Sequence, residues 1–330
     1  MSEINNLKAK KKCIRITEND IEILRLINKY GIIKKSKLSD YFSKQKISYK
    51  NSYIPKRLRI LKDFNYLKDF GRGLGLGLKG KRELELRNIE LIYKRDFRKD
   101  SYLNIYKSSS LLLDMDFKFK MSRREFIMKM DEEEKSNQVV KLYDGVVWNA
   151  PSEKFFVYSF KEDINHLDLS KIKKDLEFGG IKNVILVFDN IKYFKKTFER
   201  LRELIANKIL IIPNNSKGIN SLNLYNSNLF SDENLIQGLN KISKKIDAKK
   251  ENSEMKFFNS IGQNIMILDI KKLSKSLSLL RMRKESKIYF SMLDIYQDFA
   301  KDLKEDLASD NIDATFLMLS EEQYLNAISD

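Results

Sequence analysis

The chain has one cysteine, Cys13, and one histidine, His166, in 330 residues. A single thiol excludes a disulfide framework, and one Cys with one His leaves too few ligands for a zinc site. A Ser-His-Asp or Cys-His catalyst would have to use His166, which lies in NHLDLS, a helix-start context, and reads as structural. No apolar run approaches the roughly 20 residues that a bilayer span requires. The N-terminus, MSEINNLKAKKK, lacks the apolar core of a signal peptide. The expectation is a cytoplasmic protein without membrane contact, resident metal or cofactor.

What is present is charge. Hydrophobic residues make up 42% and charged residues 33%, a globular balance, and the length suits two or three domains. The net charge of +17 is uneven: residues 1–88 hold 23 Lys/Arg against 9 Asp/Glu, whereas residues 89–330 hold 40 against 37. A lysine-rich composition alone would spread evenly. The asymmetry predicts a polyanion-binding module attached to a near-neutral body.

Within the basic region, Thr17 can cap a helix over 18–29, with Ile23, Leu24 and Ile27 inward and Gly31 as the stop. Ser36 can cap a short helix, KLSDYF, that turns Leu38, Tyr41 and Phe42 inward. A third helix can begin near Ser52, with Pro55 tolerated in its first turn. It sets Ile54, Leu58 and Leu61 on one stripe and Lys56, Arg57, Arg59 and Lys62 on the rest of its surface. Three short helices, the last apolar inside and cationic outside, form a helix-turn-helix pattern with the reading helix third.

GRGLGLGLKGKRE follows at 71–83, with five glycines in ten positions. A phosphate-binding loop would need Ser or Thr after Lys81, where Arg82 stands, and a buried strand before it. The stretch reads instead as a wing: a strand Tyr66–Phe70, a flexible basic tip GRGLG carrying Arg72, a returning strand Leu76–Leu78, and a helix opening on Lys79, Lys81 and Arg82.

ITENDIEILRLINKYGIIKKSKLSDYF, then KRLRILKDFNYL, then LGLKGKREL resemble the winged-helix opening of the replication-relaxation family. The resemblance covers roughly residues 14–215. It implies a double-stranded DNA-binding protein of a plasmid or conjugative element, acting in replication or mobilisation.

The body reads as alternating elements. A helix capped by Asp100 and a strand DFKFKMS precede a charged loop, DEEEKSN. A hairpin is expected from Val139–Tyr143 and Val146–Trp148, turning at Asp144-Gly145, before a strand Lys154–Phe160. Helices near 168–177 and 191–206 alternate with two buried strands, NVILVFD and KILIIP. This order gives a mixed sheet flanked by helices, and it resembles the core of PD-(D/E)xK nucleases. By that resemblance Asp144 matches the first metal-binding acid and Lys161 the lysine, but Ser159 stands where the second acid belongs, a severe loss for a hard-cation site. Asp175 or Glu177 would have to substitute from the next helix.

Beyond 216 the expectations are an amphipathic helix SDENLIQGLNKISKKI, a strand NIMILDI, and a basic segment with Arg281, Arg283, Lys284 and Lys287 that contacts DNA or merely solvates a face. A long helix, IYFSMLDIYQDFAKDLKEDL, is expected to pack Tyr289, Phe290, Tyr296 and Phe299 in the core, and a strand and helix close the chain.

The reading is an α+β protein with a winged helix-turn-helix at 1–88, a nuclease-like α/β domain at 89–215, and an α/β extension at 216–330, continuous with it or separate. Its function is sequence-specific binding of double-stranded DNA without cleavage, through Lys56, Arg57, Arg59, Lys62, Arg72, Lys79, Lys81 and Arg82. Replication or transfer proteins of the same element, or a second copy of the chain, are the expected protein partners. A winged-helix repressor and a metal-dependent endonuclease with a displaced acid are the alternatives.

Overall fold

The computed structural model describes residues 14–44, 53–94, 97–130, 143–161, 163–191, 195–251, 254–283 and 287–329. Ser52, DEEEKSN, most of the strand expected at 139–143, and Lys284 lie outside them. The described residues hold thirteen α-helices and three β-sheets, an α+β architecture. Among them no helix is long and apolar enough to cross a membrane. The chain divides into two units, Met1–Ser110 and Leu111–Asp330.

The N-terminal unit opens with α1 (Glu18–Tyr30). Thr17 and Asp20 cap it reciprocally: the Asp20 N–H donates to Thr17 Oγ1 at 3.3 Å and the Thr17 N–H to Asp20 Oδ2 at 2.7 Å. Ile21, Leu24 and Ile27 are fully buried, and Gly31, at φ +85°, ends the helix. Strand β1 (Ile33–Lys34) leads into α2 (Lys35–Lys44), so Ser36 lies inside that helix instead of capping it. α3 (Tyr53–Asp63) buries Ile54, Leu58 and Leu61 as its spacing requires. Strands β2 (Leu67–Phe70) and β3 (Gly73–Leu76) follow, then α4 (Leu78–Leu86). The three strands pair antiparallel in the order β1-β3-β2.

The glycine stretch is thus built more tightly than expected. Phe70 pairs with Gly73, leaving a two-residue turn, Gly71-Arg72, with Gly71 at φ +60°. The returning strand starts at Gly73, and Leu78 already belongs to α4. The other glycines serve close approach: a Cβ on Gly77 would lie 2.4 Å from the Asn65 carbonyl oxygen, and one on Gly80 2.2 Å from that of Tyr66.

Residues 89–110 belong to this unit, so it extends past the boundary drawn at 88. Asn28, 4% exposed, donates to the Glu90 carbonyl at 2.8 Å and accepts from the Ile92 N–H at 3.1 Å. Buried Ser109, on α5 (Lys99–Asp114), donates to the Ile32 carbonyl.

The second unit contains β4 (Phe119–Ser122), α6 (Arg123–Met128), β5 (Gly145–Trp148), β6 (Lys154–Phe160), α7 (His166–Phe178), β7 (Asn183–Phe188), α8 (Lys195–Glu203) and β8 (Lys208–Pro213). The first three strands are antiparallel neighbours, and β6, β7 and β8 run parallel. All six residues of β7 are buried. The hairpin differs from expectation: β5 pairs with β4 and β6, and Asp144 stands just before β5. The Asp144 N–H donates to the Val157 carbonyl at 2.7 Å while Gly145 is also registered with Val157. Two residues opposing one make a β-bulge.

Helices α9 (Ser216–Asn226) and α10 (Asp232–Ile242) lead to a second sheet: β9 (Lys249–Glu251), β10 (Glu254–Phe257), β11 (Ser260–Asn264), β13 (Lys287–Leu293) and β14 (Asp313–Leu319). The expected strand NIMILDI is divided. Asn264 ends β11, whereas β12 (Leu268–Asp269) pairs with β8 and completes the first sheet as β12-β8-β7-β6-β5-β4. Residues 216–330 therefore build part of the preceding fold. The expected long helix from Ile288 is also overturned: IYFSML is a buried strand, and α12 begins only at Gln297 (Gln297–Ser309). A strand covered on both faces reads as a continuous apolar run, which periodicity cannot separate from a buried helix. Its aromatics are in the core as expected, with Tyr296 donating to the Ile211 carbonyl at 2.8 Å. α11 (Ile270–Arg283) carries the basic segment, and α13 (Glu321–Ser329) closes the chain.

Gly80→Ala tests the close approach of α4 to Tyr66. Alanine favours a helix interior by about 1 kcal/mol over glycine, but overpacking costs about 1–3 kcal/mol, and here the obstacle is backbone. A net loss of stability is expected in thermal unfolding. An unchanged or raised midpoint would show that α4 moves away from Tyr66 without cost.

Candidate nucleic-acid interface

Eight cationic residues were expected to face DNA, and the N-terminal unit sorts them. Lys56 and Arg59 project from α3 into solvent, with the Arg59 side chain 84% exposed and 4.0 Å from Asp63. Lys62 lies 3.1 Å from Asp69 of β2, which also meets Lys35 at 3.3 Å. Some burial would raise the Asp69 carboxyl, but hydrogen bonds and charge from Lys62 and Lys35 outweigh it and hold it below its ordinary value. Arg72 is exposed in the two-residue turn. Lys79 stands 5.9 Å from both the Phe64 and Tyr66 rings, Lys81 donates to the Lys94 carbonyl at 3.1 Å, and Arg82 is exposed.

Arg57 does not belong to this surface. Its guanidinium donates to Asp20 Oδ1 at 2.6 Å, to Asp20 Oδ2 at 2.5 Å and to the Arg15 carbonyl at 2.7 Å. Asp20 is wholly buried and the Arg57 side chain is only 14% exposed. The fork joins the first turn of α1 to α3. Helical spacing marked Arg57 as outward, whereas the buried carboxylate draws it back.

Two features of α3 escaped the sequence reading. Tyr53 and Ile60 are each 37% exposed and share a stripe with Lys56, at i, i+3 and i+7. Beside them an open groove of about 590 Å³ runs between α2 and α3, bordered by Lys35, Ser39, Arg59 and Lys62. The exposed face of α3 thus combines cations with apolar surface, the two kinds of contact that base edges and thymine methyl groups offer.

The nuclease-like positions lie in the second unit. Ser159 and Lys161 are exposed at and beyond the end of β6, while Asp144 Oδ2 is buried. Asp175, 1% exposed on α7, accepts a hydrogen bond from the Tyr158 hydroxyl at 3.0 Å. Burial, then the charge and hydrogen bond of Asp175, then the charges of Tyr143 and Asp144 push the Tyr158 hydroxyl well above its ordinary pKa. Glu177 points to solvent, 4.0 Å from Lys173. Among the described residues no three His, Cys, Asp or Glu side chains are placed to hold a metal. His166 is exposed at the first position of α7, with Asn165 as its cap. Of the C-terminal basic segment, Arg281 meets Asp310 and Arg283 meets Glu254, each at 2.5 Å.

No family model, curated protein or solved structure matches the chain.

Burial alone would raise the Asp20 carboxyl, but the Arg57 and Thr17 hydrogen bonds and the Arg57 charge outweigh it, and it lies below its ordinary value. Its contribution to stability is complete above the unfolded carboxylate value of about 3.9 and is lost as pH falls toward the lower folded value. Arg57→Ala strands a buried carboxylate and is expected to cost about 3–5 kcal/mol at neutral pH. The difference between wild type and variant should shrink as pH falls and Asp20 is protonated, because the wild type then loses the Arg57 interaction. Denaturant unfolding at neutral and mildly acid pH measures both effects. Unchanged stability with weakened DNA binding would return Arg57 to the interface.

Proposed function

We propose that the N-terminal unit is a winged helix that binds duplex DNA sequence-specifically, with α3 in the major groove and the Gly71-Arg72 turn as the wing tip. The observation that carries this reading is the exposed stripe Tyr53, Lys56 and Ile60, flanked by Arg59, on the third helix of a strongly basic region. Arg59 and Lys56 reach base edges and phosphates, Ile60 and Tyr53 supply apolar contact, and Arg72 engages the backbone or minor groove. Lys62, Lys79, Lys81 and Arg82 add to the positive field.

We further propose, from the resemblance to the replication-relaxation family, that the protein serves replication or mobilisation of a mobile element and that its second unit is a nuclease-like scaffold without cleavage activity. The strand order β4-β5-β6-β7, with only the last pair parallel, supports the scaffold. The exposed Ser159 and the engagement of Asp175 by Tyr158 support the loss of chemistry.

A fragment of residues 1–110, which retains the Asn28 and Ser109 contacts, is expected to bind duplex DNA with an affinity that falls steeply with salt, because phosphate contacts release counterions. Arg59→Ala should lower discrimination between sites by about 1–3 kcal/mol. Arg72→Ala should weaken all sequences alike. Anisotropy titrations against a selected site and scrambled duplexes separate the two. Salt-insensitive binding, or none, would reject the interface, and a changed site preference in Arg72→Ala alone would exchange the roles of helix and wing.

For the second unit, no cleavage of supercoiled or linear DNA is expected in magnesium or manganese. Cleavage abolished by Asp144→Ala would show a working site and overturn the non-catalytic reading.

A further inference from the structure

One end of the six-stranded sheet carries an aromatic surface that duplex binding by the N-terminal unit does not use. Phe119, on the edge strand β4, is registered with Trp148 on β5, which is registered with Lys154 on β6. Cross-strand partners share a sheet face, so the three side chains form a row. The Phe119 and Trp148 rings stack with centroids 5.4 Å apart and planes inclined by 18°. Phe119 is 42% exposed at the open edge. Lys118 Nζ lies 5.4 Å from the Phe119 centroid, and Lys154 Nζ lies 5.7 Å from that of Trp148.

Neighbouring groups preserve the positive charge of the row. Glu153, the acid next to Lys154 in sequence, is taken by Lys208 at 2.5 Å. Asn149 Oδ1 accepts the Lys118 N–H at 2.9 Å and fixes the backbone where the edge strand begins. Residues 89–330 are close to neutral as a whole, with 40 Lys/Arg against 37 Asp/Glu, so lysines at both borders of a π surface are a local concentration. One lysine stands over each ring, Lys118 over Phe119 and Lys154 over Trp148. A ligand with a flat π face and an anionic backbone satisfies the ring and the lysines together.

We propose that this row is a stacking platform for single-stranded nucleic acid. An unpaired base stacks on the exposed part of Phe119, extending the Phe119–Trp148 stack, as Lys118 turns from over the ring to a flanking phosphate and Lys154 neutralises another. Bases within a duplex present their edges and hide their faces, so the platform selects single strands by stacking rather than by sequence.

Trp148 is the sole tryptophan in the chain, so the tryptophan emission comes from this row. Titrating the full-length protein with oligodeoxythymidylate of about 15 nucleotides, within the usual site size for such surfaces, should quench Trp148 in a salt-sensitive manner. The blunt duplex of equal length should leave it unquenched. Phe119→Ala is expected to weaken the quenching titration roughly fivefold to a hundredfold, the measured range for losing one base stack. Lys154→Gln, which leaves both rings in place, should weaken it less and reduce its salt dependence. Absence of quenching at low salt, equal quenching by duplex, or wild-type titrations in both variants would overturn the platform. Arg59→Ala should leave the Trp148 titration unchanged, so failure of the duplex interface and failure of the platform are separately visible.

Discussion

The buried carboxylate of Asp20 is the constraint on which the N-terminal unit turns. It is wholly inaccessible, yet it takes the Thr17 N–H and hydroxyl at the start of α1 and two guanidinium nitrogens of Arg57 from α3. A buried charge is tolerated only when its partners are fully engaged, so these bonds restrict how α3 crosses α1. The same fork removes Arg57 from the outer surface. Lys56, Arg59 and Ile60 then present the outward face, and the orientation of any reading helix here follows from a residue that reads nothing.

Glycine imposes the second constraint. In this hairpin only Gly71 has a positive φ, whereas Gly77 and Gly80 stand against the carbonyl oxygens of Asn65 and Tyr66. Both carbonyls belong to the junction between α3 and β2. Side chains at 77 and 80 would push α4 off that junction and alter the support behind the hairpin. The stretch that resembles a flexible tip is for the most part a tightly packed seat.

Much of the fold was legible because local rules and burial agree. Thr17, Gly31 and the stripe Ile54, Leu58, Leu61 mark α1 and α3, and KFFVYSF and KILIIP have the bounds read from their apolar runs. Failures came where tertiary pairing decides. IYFSML has the same apolar content whether it forms a buried helix or a buried strand, and only its pairing with β11 and β14 settles the matter. NIMILDI serves two sheets, an outcome with no local signature. At the candidate surface, spacing identified Lys56 and Arg59, but Arg57 shares their surface pattern and differs only through Asp20, 37 residues away in sequence.

The proposed loss of cleavage and the proposed stacking platform concern different parts of the same sheet. Around Asp144 and Asp175 the interior is filled by Tyr143, Phe156 and Tyr158, with Phe156 4.7 Å from Tyr143 by ring centroid. Asp175 is spent on the Tyr158 hydroxyl, and water needed for hydrolysis would have to enter among packed rings. At the edge of the sheet the packing thins: Phe119 stacks on Trp148, has Lys118 over its ring and is 42% exposed. With Ser159 where the second acid would stand and Asp175 spent on Tyr158, the proposed loss of cleavage rests on the centre of the sheet and the proposed stacking platform on its aromatic edge.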